Sequence, residues 1–399
     1  MTKLLDLKNN SVIATNQNNY TKEDNYKKVC YLDTDNITNN RINAFLKIDL
    51  TKEKLPSRAK RKCSLNSIIY SSVRPNQRHF GIIKEIPKNF LVSTAFIVID
   101  IIDLEKLDPN YLYYYVTQDK ITHYLQRIAE CGTSSYPSIT PLDFLNIKIK
   151  LYPLETQQKI AHTLSILDQK IENNHKINEL LHKILELLYE QYFVRFDFLD
   201  ENNKPYQTSG GKMKFSKELN RLIPSGWSVR FLNHKIVSTY QPKTISKTLL
   251  NDSYSYSVYG GGGIIGRFTE YNHEQSEFII SCRGQCGISY LTLPKSWITG
   301  NAMVIRPTKS YTSKTYLYHT IKKYKLTNYI TGSVQPQITR QNLSTMPILI
   351  PKRKTLNKWN NISSLLWNLI HNNMQSTQTL TALRDFLLPL LLKQQVKPQ

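Results

Sequence analysis

Residues 137–174 align with residues 336–373 at a constant offset of 199. A chain that repeats one supersecondary plan folds into two related units rather than one body. Pro137-Ser-Ile139-Thr140 falls on Pro336-Gln-Ile338-Thr339, and Asp143-Phe144 on Asn342-Leu343. Ile149 and Leu151 fall on Ile348 and Ile350, Thr156 on Thr355, Lys159 on Lys358, Ile171 on Ile370, and Asn173-Asn174 on Asn372-Asn373. Upstream, across small gaps, Ala95-Phe-Ile-Val-Ile99 answers Ala302-Met-Val-Ile-Arg306, and Tyr111-Leu-Tyr113 answers Tyr316-Leu-Tyr318. At 399 residues the chain is also too long for one ordinary core.

Each unit has the same order. Short apolar β-type runs come first, such as Ser67-Ile-Ile-Tyr70, Phe96-Ile-Val-Ile99 and Ile147-Lys-Ile-Lys-Leu151, answered by Phe278-Ile-Ile-Ser281 and Ile348-Leu-Ile350. A short helix pattern begins at Pro109 in one unit and Ser313 in the other, and each unit closes with a long helix. In the first long helix, about Glu155–Arg195, the residues Ile160, Leu164, Leu167, Ile171, Leu181, Leu185 and Leu188 keep the alternating 4-3 spacing of a coiled-coil seam. Asn174 and Asn178 occupy the two seam positions missing from that series. A buried Asn there costs stability but fixes register.

The second helix, about Thr355–Leu388, repeats the pattern with Trp359, Leu366, Ile370, Asn373, Leu380 and Leu387, and Pro389 is expected to end or kink it. A helix of about 40 residues is roughly 60 Å long. Equivalent positions in the repeat favour pairing the two helices with each other, antiparallel, over packing each on its own domain. Ile166, Ile177, Leu180, Ile184 and Leu187, with Ile362, Leu365, Leu369 and Leu383, widen the apolar stripes and leave surface for a further partner. The expected fold is α+β: two mixed α/β domains in pseudo-twofold tandem repeat, separated by two antiparallel coiled-coil helices. Expected boundaries are 1–154, 155–198 for the first helix, 199–354, and 355–399 for the second helix and tail.

Net charge is +23 and unevenly placed: +7 over residues 1–150, −3 over 151–200, +16 over 201–354 and +3 over 355–399. Two basic blocks interleaved with Tyr, Asn and Gln suit a phosphate backbone; a solvated basic surface or an acidic partner is the plainer alternative. No uninterrupted apolar run of membrane-spanning length and no signal-peptide core is present, so no membrane contact is expected and the chain is read as cytoplasmic. Cys30, Cys63, Cys131, Cys282 and Cys286 make no disulfide framework. The Cys282/Cys286 pair lacks a second ligand pair at zinc spacing, and free thiols are favoured over metal.

Catalytic patterns are missing. Asp108-Pro-Asn-Tyr111 lacks the second proline of a methyltransferase loop, and the glycines Gly260 to Gly263 lack the Gly-Lys-Ser/Thr ending of a phosphate loop. Those glycines suit either plain loop flexibility or close backbone approach to a partner. His79, His234 and His273 stand isolated. The chain is expected to be non-enzymatic and to hold no cofactor. Base edges are read by Arg, Lys, Asn and Gln, whereas most other basic contacts position the backbone. In the first domain the candidates are Arg74, Asn76, Gln77 and Arg78, in a loop between β-type runs, with Lys60, Arg61 and Lys62 as phosphate contacts. In the second they are Tyr259, Gly260, Gly261, Arg267, Arg283 and Gln285. Gln335 and Gln337 rank lower: their motif recurs in both halves, and a feature shared by domains reading different sequences is more plausibly structural.

Taken together, Ile147-Lys-Ile-Lys-Leu-Tyr-Pro-Leu-Glu155-Thr-Gln-Gln158-Lys-Ile160, Leu167-Asp168-Gln-Lys-Ile171, Ser209-Gly-Gly-Lys-Met213, Ile223-Pro-Ser-Gly-Trp227, Tyr259 to Gly266, Ser281-Cys-Arg283-Gly284 and Gly332 to Thr339 resemble the specificity subunits of type I restriction–modification enzymes. The resemblance covers nearly the whole chain. It implies two target-recognition domains, each reading half of a split double-stranded DNA site, held apart by the helix pair. It further implies that the helices dock methyltransferase subunits, two in number, and it allows a motor-nuclease subunit, with S-adenosylmethionine and ATP bound by those partners. Two departures stand out. Residues 1–20 show no clear counterpart to the lead-in at 204–227, and Lys354-Thr355-Leu-Asn357 replaces the Glu-x-x-Gln opening of the first helix. A rival from another class is a structural adaptor whose helices bridge partners and whose charge binds DNA without regard to sequence.

Overall fold

The computed structural model describes residues 1–132, 136–251, 254–333 and 335–397. Val334 of the Gly332–Thr339 motif and the last two residues of the tail lie outside these. The chain forms two units, Met1–Ile171 with Thr379–Gln399, and Glu172–Gln378.

In the first unit β1 (Thr2–Lys3), α1 (Leu4–Asn9) and β2 (Ile13–Thr15) lead to β3 (Lys28–Leu32), β4 (Ile37–Thr38), β5 (Arg41–Ile42), β6 (Leu46–Asp49) and β7 (Ala59–Arg61). Then follow β8 (Ile68–Ser71), β9 (Phe80–Ile82), β10 (Phe90–Ser93) and β11 (Phe96–Ile101). Helices α2 (Pro109–Val116), α3 (Asp119–Glu130) and α4 (Pro141–Leu145), strand β12 (Lys148–Ile149) and the long α5 (Leu154–Tyr189) complete the order.

The central sheet runs β2-β11-β8-β9. Its two middle strands carry the apolar runs Ile68-Ile-Tyr70 and Phe96-Ile-Val-Ile99 because both faces are covered there. Ile68, Tyr70, Ile97 and Ile99 point into the core beneath α2, while Ile69, Phe96 and Val98 face a second core under an accessory sheet, β6-β3-β10-β7. Asp108, in the segment that lacks the methyltransferase proline, caps α2 by accepting from Tyr111 N at 2.8 Å.

The second unit repeats this plan with β13 (Met213–Ser216) and β14 (Arg221–Pro224) as an added hairpin. Its strands are β15 (Ser228–Phe231), β16 (Val237–Tyr240), β17 (Tyr256–Gly260), β18 (Gly263–Phe268), β19 (Phe278–Ser281), β20 (Ser289–Leu291), β21 (Trp297–Ile298) and β22 (Ala302–Pro307). Then come α6 (Lys314–Lys323), β23 (Ile330–Thr331), β24 (Gln337–Ile338), α7 (Arg340–Ser344), β25 (Pro347–Ile350) and α8 (Arg353–Lys393). The central order β16-β22-β19-β20 matches β2-β11-β8-β9 strand for strand, and the accessory sheet is β18-β17-β21. The likeness reaches single hydrogen bonds: Tyr111 donates to Lys150 O and Tyr316 to Leu349 O, each at 2.5 Å.

Residues 1–20 show no counterpart to the 204–227 lead-in, whose β13–β14 hairpin belongs to the second unit; their short strands answer β15 and β16 instead. β1 pairs antiparallel with β12 as β15 pairs with β25, and β2 borders β11 as β16 borders β22. Two- and three-residue strands leave too little alternation to be seen in sequence. Pro389 does not end the second helix, which runs on to Lys393. Leu391 and Leu392 beyond it are buried in the first core, and that burial outweighs the hydrogen bond the proline removes. The first helix ends in a π turn, Glu190–Val194, that turns Tyr192 and Phe193 into the second core.

Each unit contains a stretch of both helices, and the pairing is antiparallel in each. In the first unit Arg384 meets Asp168 at 2.8 Å, and Leu391 and Leu392 share a core with Ile160 and Leu164. In the second, Asn174 donates to Thr377 Oγ1 at 3.2 Å, Asn373 to Asn178 Oδ1 at 2.9 Å, and Asn178 to Ile370 O at 3.3 Å. His182 lies edge-on to Trp367, and Tyr189 to Trp359. Of the expected seam, Ile160, Leu164, Leu185, Trp359 and Ile370 are buried, whereas Leu167, Ile171, Leu181, Leu188, Leu366, Leu380 and Leu387 are half-buried beside the asparagines. Ser363, Thr377 and Arg384 are further seam positions, invisible to a search for apolar spacing.

Candidate nucleic-acid interface

The two Arg-bearing segments singled out in the sequence occupy the same place in their units. Arg74 to Arg78 lie between β8 and β9; Arg283 and Gln285 lie between β19 and β20. Both loops leave the inner strand of the central sheet and are pinned by the repeated Pro-x-Ile-Thr segment. Ile139 N donates to Ser72 O at 2.8 Å and Arg74 N to Pro137 O at 2.9 Å. In the second unit Ile338 N donates to Cys282 O at 3.0 Å, and Arg283 bridges to Gln337. Ile139 and Ile338 are buried, and Thr140 and Thr339 cap α4 and α7 by accepting from Asp143 N at 3.2 Å and Asn342 N at 3.1 Å. The shared motif is therefore a fastening. Gln337 takes part through its backbone, and the side chains of Gln335 and Gln337 are exposed.

Both loops turn through the left-handed region. Arg74 and Arg78 have φ of 48° and 57°, and Gly284, one residue beyond Arg283, has φ of 74°. Arg74, Asn76 and Gln77 are exposed, as are Arg283 and Gln285. The Arg74 guanidinium lies 5.4 Å over the Tyr136 ring, and Asn76 N donates to Gln126 Oε1 at 3.1 Å. Asp119 holds Arg78 by a 2.8 Å ion pair. Each loop thus presents planar, bidentate-capable donors on a backbone fixed from both sides, the arrangement suited to reading guanine or adenine edges.

Other candidates sit differently. Tyr259 is 2 % exposed, and its hydroxyl accepts from Leu293 N at 3.0 Å, so this ring belongs to the core. Alternating apolar flanks do not reveal which side of a strand faces inward. Arg267 Nη2 donates to Ser255 O at 2.5 Å across the hairpin, which ties its side chain down. Gly260 is buried, and Gly260 to Gly263 make the tight turn joining β17 to β18. A Cβ on Gly261 would stand 3.0 Å from Arg283 O, so the turn is seated directly on the Arg283 loop. Lys60 is exposed, Arg61 donates to Thr94 O at 3.3 Å, and Lys62 pairs with Asp24 at 2.6 Å. The three do not form one patch of equivalent phosphate contacts. The thiols also have local partners: Gln241 Nε2 donates to Cys282 Sγ at 2.8 Å, and Cys286 Sγ donates to Pro336 O at 3.2 Å.

In the first unit a different hairpin takes the place of the glycine turn. β4 and β5 flank Asn39-Asn40, and Asn39 N donates to Arg78 O and Asn40 N to Phe80 O, both at 2.9 Å. The Asn39-Asn40 pair between Thr38 and Arg41 is a hairpin-turn signal in the sequence, but strands of two residues are too short to mark its arms.

A family profile described as type I restriction modification DNA specificity domain matches residues 3–183 and 224–383. Among similar proteins, the type I restriction enzyme HindI specificity subunit of Haemophilus influenzae is 22% identical over 93% of this chain and 95% of its own length. The MjaIX specificity subunit of Methanocaldococcus jannaschii is 24% identical over 73% of this chain and 70% of its own. The crystal structure of a type I restriction–modification S subunit from M. genitalium aligns with a TM-score of 0.54 at 17% identity, covering 98% of this chain and 99% of that one. With both matched segments coinciding with the two repeated units, the chain belongs to the type I restriction–modification DNA specificity domain family.

Proposed function

We propose that this chain is the sequence-reading, non-catalytic subunit of a type I restriction–modification complex, each unit reading one part of a two-part duplex site. One observation carries this: two units of identical strand order present, at the same point of the fold, a pinned and exposed arginine loop of different sequence. A common scaffold with divergent tips is what reading two different words requires. Residues 1–154 and 199–354 act as recognition heads, and the helices 155–198 and 355–399 as the spacer that sets the separation of the two words.

The helices also serve as the docking surface for methyltransferase subunits. Leu180, Leu187 and Leu365 are 58%, 66% and 62% exposed, with Ile177, Ile184, Ile362 and Leu369 beside them. Each of these residues immediately precedes a seam position. The dyad of an antiparallel pair brings equivalent flanks together, so they line one side of it. So large an apolar strip on a charged chain marks a protein interface. Two methyltransferase subunits, with a motor-nuclease able to join, fit the two-fold repeat, and the complex acts on DNA inside the cell.

The experiment is sequencing of methylated bases in DNA from cells with and without this chain beside its methyltransferase. A two-part motif that vanishes with the chain supports the reading. Methylation without a motif, or binding that ignores sequence, would favour an adaptor role instead.

A further inference from the structure

One connection differs between the two units. In both accessory sheets an inner strand, β3 or β17, has a parallel neighbour later in the chain (β10 or β21) and, between the two in sequence, an antiparallel neighbour (β6 or β18). These strands correspond, so the turn between β17 and β18 and the segment from Asp33 to Phe45 between β3 and β6 are the same connection. The second unit makes it with the Gly261-Gly262 turn. The first inserts a 3-10 turn, Thr34–Asn36, and the β4–β5 hairpin.

That insertion is firmly built. Asn39 and Asn40 have φ of 48° and 67°, the left-handed pair a two-residue hairpin turn requires and that Asn tolerates. Asn43 N donates to Asn36 O at 2.8 Å and closes its base. The tip is bolted to the Arg74–His79 loop: Asn39 N to Arg78 O, Asn40 N to Phe80 O, and His79 Nδ1 2.5 Å from Ile37 O. Ile37 is buried, and a Cβ on Gly81 would stand 2.7 Å from its Cδ1. The Asn40 carboxamide is consumed within the fold, accepting from Ile82 N at 2.8 Å. Asn39 is different. Its side chain is exposed at the tip, one hydrogen bond from the backbone of Arg78.

We propose that the β4–β5 hairpin is a second reading element of the first unit, and that Asn39 contacts an adenine edge beside the base met by Arg78. The inference rests on the reading of the chain as a two-headed DNA-recognition subunit. A carboxamide pairs with adenine N6 and N7 as a guanidinium pairs with guanine O6 and N7. Here the two stand on segments locked together, so they address neighbouring positions of one word. Asp119 is the positioning residue: its carboxylate holds one edge of the Arg78 guanidinium at 2.8 Å and leaves the remaining donors for a base. In the second unit the glycine turn offers no side chain, and reading there falls to the Arg283 loop alone.

The test uses the complex of this chain with its methyltransferase subunits, a randomised duplex library, and methylation as the readout. Asn39→Gly keeps the left-handed turn and removes only the carboxamide. It should lower discrimination at one position of one word by roughly 5- to 150-fold, leaving the other word intact. Asn39→Asp should shift the preferred base at that position toward cytosine, whose amino group a carboxylate accepts. An unchanged motif and affinity in Asn39→Gly would overturn the proposal, as would a uniform loss across all sequences, which would mark backbone contact or misfolding. If the wild-type complex shows no two-part motif, the recognition reading itself fails and this proposal with it. A wild-type motif unaltered in both variants sinks the proposal alone.

Discussion

Arg384 ties the second long helix to the first through a mostly buried ion-pair cluster. Its guanidinium bonds Asp168 at 2.8 Å and Asp385 at 2.8 Å, and Tyr114 donates to Asp168 at 2.7 Å. Arg384 and Asp168 side chains are 21% and 23% exposed. Removing one partner of a fully buried pair costs about 3–5 kcal/mol, because the other charge is left desolvated, whereas exposed pairs are worth about 0–1 kcal/mol. For a pair about four-fifths buried, Arg384→Gln should cost on the order of 2 kcal/mol. In a unit of this size that lowers the melting transition by about 4–8 °C. Asp168→Asn with Arg384→Gln replaces the ion pair by amides, keeps an acceptor for Tyr114, and should recover most of the loss. Differential scanning calorimetry of the single and double variants against wild type measures this. A single variant that melts like wild type, or a double variant no better than the single, would refute the reasoning that desolvation of Asp168 dominates.

Other outcomes follow from the same geometry. Burial, with Lys322 and His182 nearby, holds His319 down at about 3, and burial, with Lys314 and His182 nearby, holds His371 down at about 4. Both stay neutral when folded and take up protons on unfolding below about pH 6.5. The stability they contribute is therefore complete above that pH and is lost as pH falls toward 4, by up to about 1.4 kcal/mol per pH unit for each group. Urea titrations at pH 7, 6 and 5 should show the second unit weakening first, and equal midpoints would contradict this. Thr140→Ala and Thr339→Ala should each cost about 1 kcal/mol through the lost cap, read as a lower urea midpoint. Lys60→Ala should weaken DNA binding evenly across sequences and reduce the salt slope by about 1, whereas Arg283→Ala should relax preference at one position; competition binding at several salt concentrations separates the two.

Much of this architecture was legible because repetition is a signal that survives divergence. The offset that aligns Pro137 with Pro336 located the fastening segment in both units, and the 4-3 spacing from Ile160 to Leu188 located the helix pair. What escaped had physical reasons. Ser363, Thr377 and Arg384 sit in the seam because their partners, Asn174 and Asp168 among them, are polar, and apolar periodicity is blind to such positions. Strands of two residues such as Ile37–Thr38 carry no period at all. Tyr259 and Arg267 have the chemistry of base readers, but the hairpin turns one into the core and ties the other to Ser255 O. Residue type names a candidate, and only the backbone decides whether it faces outward.

The last helical turn has a bearing on how the protein is made. Leu391 and Leu392 complete the core that Leu4, Ile13 and Ile160 begin. On the ribosome, the interior that runs from Leu4 to Leu164 therefore stays unsealed until Leu391 and Leu392 have been translated. Until then Ile160 and Leu164 stay open to water and to neighbouring nascent chains, a period of vulnerability that slow synthesis lengthens and that a chaperone bound at that site would cover.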